Sequence, residues 1–104
     1  MKQLIIEKFT REERFLRYPE IQKFIKNHRN LEAIYVGNDP EEEDRMIHYF
    51  IIPGKINSRL DEEITSLELS LSGIINNYNF MRLPIKKEQA NEYGFLGECI
   101  WKRN

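Results

Sequence analysis

A single cysteine is all this 104-residue chain carries, which excludes an internal disulfide and gives no zinc site by itself. One thiol is compatible with a reducing compartment, and the cytoplasm is the expected location. Long apolar runs are missing too. Nothing approaches the roughly 18 residues of a membrane span, so no membrane association is expected. Met1-Lys2-Gln3-Leu4-Ile5-Ile6-Glu7 has only three consecutive apolar residues before an acid, far short of a signal-peptide core. A dominant charge is also lacking: the formal net charge is −1, without the broad basic excess of a general nucleic-acid binder. There is no glycine-rich dinucleotide loop, no Gly-x-Ser-x-Gly elbow, no His-Glu-x-x-His and no glycine-serine pair followed by spaced aspartates. No cofactor and no metal site are expected.

What is present suits one globular domain over residues 1–104. Hydrophobic content of 40% and aromatic content of 12% argue against disorder, and the length suffices to bury one core. The charges are unevenly placed. Lys8 to Arg29 holds seven bases against three acids, whereas Asn38 to Asp44 holds five acids and no base.

The isoleucine-rich stretch Lys2 to Phe9 reads as a strand. Thr10 with Glu13 forms a capping box, so a helix opens at Arg11, and Pro19 divides it from a second helix. Ile21, Phe24, Ile25 and His28 then share one face. Leu31 to Val36 reads as a strand before the turn Gly37-Asn38-Asp39-Pro40. Arg45 to Ile52 reads as a central strand, because its unbroken run from Met46 to Ile52 needs cover on both faces. Ser58 would cap a long helix reaching Asn76–Tyr78, with Asp61, Glu62 and Glu63 at its positive end. Phe80 to Ile85 and Phe95 to Lys102 read as the last strands, joined by a connection or short helical turn. This order predicts an α+β fold of the ferredoxin-like split β-α-β kind: an antiparallel sheet, helices on one face, and an extra C-terminal strand.

Several residue groups bear on function. His48 and Cys99 are the obvious pairing to supply a base and a nucleophile, but no third group accompanies them and both fit packing roles. Asp39, Glu41, Glu42, Glu43 and Asp44 lack calcium-loop spacing and read as a solvated hairpin tip. Pro53-Gly54-Lys55-Ile56-Asn57-Ser58 stands where an anion could meet a helix start, yet Asp61, Glu62 and Glu63 would repel a phosphate there. The basic 11–29 helical region offers Arg14, Arg17, Lys23, Lys26 and Arg29 to a nucleic acid. Tyr35, Tyr49, Phe50, Phe80, Phe95 and Trp101 would be its stacking platform if one sheet face were open.

The favoured surface lies on the 58–78 helix. Leu60, Ile64, Leu67, Leu71, Ile74, Ile75 and Tyr78 form its inward stripe, and Leu69 points the opposite way. Around Leu69 are Thr65, Ser66, Ser72, Gly73 and Asn76, and no charge occurs from Leu69 to Met81 in a chain that is 32% charged. Small neutral residues around one outward leucine suit close approach by another surface. The expectation is therefore a non-enzymatic interaction or regulatory domain that binds a second copy or another protein through this face. A nucleic-acid binder and an enzyme built on His48 and Cys99 are the alternatives.

Overall fold

The computed structural model describes residues 11–75 and 78–104. The expected strand over Lys2 to Phe9, the cap residue Thr10, and Asn76 of the favoured face lie outside the described residues. Helix α1 (Arg11–Arg17) ends before Pro19, which starts α2 (Pro19–Asn27) at the position where a missing N–H costs nothing. Strands β1 (Ala33–Asp39) and β2 (Glu42–Ile51) form a hairpin, followed by α3 (Ser58–Leu71) and β3 (Tyr78–Leu83). A short helix α4 (Lys87–Ala90) and a 3-10 turn (Gly94–Leu96) lead to β4 (Glu98–Lys102).

The class is α+β, but the sheet corrects the expected antiparallel arrangement. Its order is β3-β2-β1-β4, and β2 pairs with β3 in parallel while the other ladders are antiparallel. With β1 on one side and β3 on the other, both neighbours of β2 are taken, so the described strands do not form the expected sheet. Helix α3 is the crossover that a parallel neighbour requires.

Both sheet faces are covered, which explains the unbroken apolar run of β2. On one face Ile34 and Phe50 pack with Phe15, Ile21 and Phe24 of the first two helices and with Leu60, Ile64, Leu67 and Leu71 of α3. On the other, Ala33, Tyr35, Ile47, Tyr49 and Ile51 are covered by Ala90, Leu96 and the partly buried Leu83 and Ile85. A strap made of α4 and the 3-10 turn therefore closes the second face, which corrects the expectation of helices on one side only. Two glycines allow the strap to approach. A Cβ on Gly97, whose φ is +84°, would stand 2.2 Å from the Val36 carbonyl oxygen, and one on Gly37 would stand 2.8 Å from that of Leu96.

Helix α3 stops earlier than its periodicity suggests. The Ser70 hydroxyl donates to the Leu67 carbonyl and that of Ser72 to the Leu69 carbonyl, at 2.8 and 2.9 Å. Such local bonds compete with the helical ladder, and Gly73 follows at once. Ile74 is consequently exposed, and Tyr78 belongs to β3 and not to the helix.

Candidate functional site

On α3 the core residues Leu60, Ile64, Leu67 and Leu71 face the sheet, and the opposite side carries the residues singled out above. Thr65, Ser66, Ser72 and Gly73 are exposed, and Leu69 is 67% exposed. Ile56, just before the helix, and Ile74, just after it, are exposed as well. Glu68, at the flank, accepts with its carboxylate from the Phe80 amide at 3.1 Å, occupying a backbone donor of β3. Glu63, at the other flank, meets His28 at 2.7 Å. The His28 ring stacks on Phe24, and its Nδ1 lies 3.0 Å from the Phe24 carbonyl, so this residue joins the end of α2 to α3.

The five bases are all exposed but do not line one groove. Arg14 borders a cleft between α1 and the residues after α3, whereas Lys23 borders a shallow groove between α2 and α3 with His28, Glu63 and Ser66. No open sheet face exists among the described residues for base stacking. Tyr35, Tyr49 and Phe50 are buried, Phe80 and Trp101 are half-buried, and Phe95 is exposed on the strap and not on a strand.

His48 and Cys99 do not form a pair. His48 is opposite Val36 and faces the helices, whereas Cys99 is opposite Tyr35 and faces the strap side. They stand on different faces with β1 between their strands, which corrects the reading of a base beside a nucleophile. Cys99 is exposed, and its neighbour Tyr35 donates from its hydroxyl to Asn91 Oδ1 at 3.1 Å. Burial, followed by the Cys99 thiol beside it, raises the Tyr35 pKa above that of a free tyrosine.

The turn before α3 is closed to a phosphate. Asn57, not Ser58, is the cap, accepting from the Arg59 and Leu60 amides at 3.1 Å. Arg82 donates to the carbonyls of Ile52, Pro53 and Lys55, tying down the rest of the turn. At the acidic hairpin tip, Asp39 accepts from the Glu41 amide and Glu42 meets Arg45 at 3.2 Å. No cluster able to hold a metal ion occurs among the described residues.

The cleft beside α1 was not legible in the sequence. The parallel ladder sets Tyr78 opposite Met46, and with Arg11, Arg14, Phe15, Tyr18, Asp44, Ile74 and Ile75 they enclose about 490 Å³. The Arg11 guanidinium lies 5.6 Å from the centre of the Tyr78 ring, within cation–π range. Burial raises the Tyr78 pKa, and the positive charges of Arg11 and Arg14 oppose that rise. His48 stands behind this wall, stacked on Phe15 at 4.0 Å and tilted against Tyr78 at 4.6 Å. Burial, with the Arg11 charge adding to it, lowers its pKa to about 3, so the ring is neutral near pH 7. Its Nδ1 has no hydrogen-bond partner among the described residues. The only advance signal was the spacing of Arg11 and Arg14, three apart on one helix face.

No family model matches this chain, and no curated protein or solved structure does either. No described helix is long and apolar enough to cross a membrane.

Proposed function

We propose that this chain is a non-enzymatic self-associating domain whose copies meet through the outer face of α3. The observation that carries the reading is Leu69, 67% exposed among exposed Thr65, Ser66, Ser72 and Gly73. A symmetric pair sets each residue of a face near its counterpart; this face carries no charge from Leu69 to Gly73, and Glu62, two turns before Leu69, is the charge at its amino-terminal end. Small residues let the two helices approach along a helix about 21 Å long. The site of action is the cytoplasm, where the exposed Cys99 thiol stays reduced.

Sedimentation equilibrium tests the proposal. The wild-type chain is expected at twice its 12.6 kDa mass, and Leu69→Arg at the monomer mass with its fold retained. A monomeric wild type, or a dimer that Leu69→Arg leaves intact, would defeat it.

A second reading uses the exposed Arg14, Arg17, Lys23, Lys26 and Arg29 to bind nucleic acid. Its mark is binding of mixed RNA or DNA that falls steeply with salt, and no mobility shift at low salt would remove it.

A further inference from the structure

We propose that the Glu68 carboxylate is an autoinhibitory contact: it holds the Phe80 amide where an incoming strand would, and without it β3 pairs antiparallel with β3 of a second copy. Among the described residues β3 ends the sheet on one side and β4 on the other. A terminal strand offers unpaired backbone groups to another chain unless charge, proline or a bulge interrupts it. The two ends are guarded differently. Strand β4 carries exposed Glu98 and Lys102, and its register against β1 shifts between Ile34 and Tyr35. Strand β3 has little of this within itself. Its ladder with β2 runs without a shift from Tyr78 to Leu83, and Pro84 comes only after it. Its one charge, Arg82, is drawn back onto the carbonyls of Ile52, Pro53 and Lys55.

The guard comes from α3. Glu68 Oε1 accepts from the Phe80 amide at 3.1 Å, so that N–H is directed out of the β2–β3 ladder and towards the helix. A strand lying beyond β3 would need the same donor, because alternate residues of a strand turn their amides to the same side. The carboxylate therefore stands in for a strand carbonyl. Take it away and Phe80 regains an unpaired donor, on a strand where Tyr78 and Phe80 are good strand formers. A twofold axis at that edge sets β3 antiparallel to its copy, and each strand then supplies the acceptors the other lacks. The inference does not depend on pairing through α3.

Amide exchange and mass test it on the full chain. In the wild type the Phe80 amide should exchange at least about tenfold more slowly than the Arg82 amide, which lies two residues on along the same edge and does not share the Glu68 bond. In a Leu69→Arg background, Glu68→Ala should reach twice the 12.6 kDa mass as concentration rises, with the Phe80 amide regaining protection in step. Glu68→Gln keeps an acceptor oxygen and should stay monomeric. Equal exchange of the two amides in the wild type would overturn the proposal, whatever Glu68→Ala does to the fold. So would a folded Glu68→Ala chain that is monomeric at every concentration, one that associates with Phe80 unprotected, or a Glu68→Gln chain that associates as readily.

Discussion

Among the described residues the α3 side and the strap side each expose three large apolar side chains, and on the strap side these adjoin a buried tyrosine of the sheet. On the strap, Tyr93 and Phe95 lie 5.9 Å apart, and the Phe95 ring meets buried Tyr49 edge-on at 5.8 Å. Met81, in register with Tyr49, stands beside the same residue on the neighbouring strand. Their exposed surface is the outside of a lid, and burial of Tyr49 and Leu96 explains why they are there. Leu69 lies on the far side of α3 from the core cluster, and Ile56 is 88% exposed. Exposure therefore marks a docking surface only when the exposed group has no covering role, and Leu69 meets that condition better than Phe95.

The strongest way to break this contrast is to lift the lid. Gly97→Ala adds a Cβ at a positive φ and against the Val36 carbonyl, and should destabilise the chain by about 2–4 kcal/mol. Thermal unfolding reads this directly, and a loss below about 0.5 kcal/mol would mean that the strap does not need its close approach to β1.

On the helical side, His48 makes stability depend on acid. Its folded pKa is about 3, below the unfolded value of about 6.5, so the unfolded chain takes up the proton first. The stabilisation is complete above about pH 6.5 and is lost as pH falls towards 3, by up to about 1.4 kcal/mol per pH unit. Denaturant midpoints across that range should show the slope, and His48→Phe should flatten it. An unchanged slope would place the sensitivity elsewhere.

The smallest effects sharpen the comparison most. Phe95→Ser should cost about 1 kcal/mol through lost cover of Tyr49, whereas Leu69→Ser should stay within about 0.5 kcal/mol when measured on monomer at low concentration. Equal losses would erase the distinction between lid and docking surface.

The elements were readable where a local rule decided them. Pro19 divides α1 from α2, the apolar run that begins at Met46 lies in the central strand β2 up to Ile51, and Leu60, Ile64, Leu67 and Leu71 face the core. The end of α3 was not readable, because a continuing apolar period outlasted the helix that Ser70, Ser72 and Gly73 ended. Nor was the parallel pairing of β2 with β3, since side-chain alternation is the same in either direction. That pairing sets Tyr78 opposite Met46 and so builds a cleft wall that sequence order alone does not bring to α1. The need for glycine at position 97 arises only because the strap crosses β1 at Gly37. The Leu69 face was legible because helical period alone sets its direction.

Position-specific cross-linking tests the central claim most directly. In a Cys99→Ser background, Leu69→Cys should form a disulfide-linked dimer under mild oxidation, because an isologous contact centred on Leu69 brings the two Cα atoms within about 7 Å. Phe95→Cys in the same background should form no disulfide-linked dimer. A Leu69→Cys chain that stays monomeric, or cross-linking of both variants at the same rate, would contradict self-association through α3.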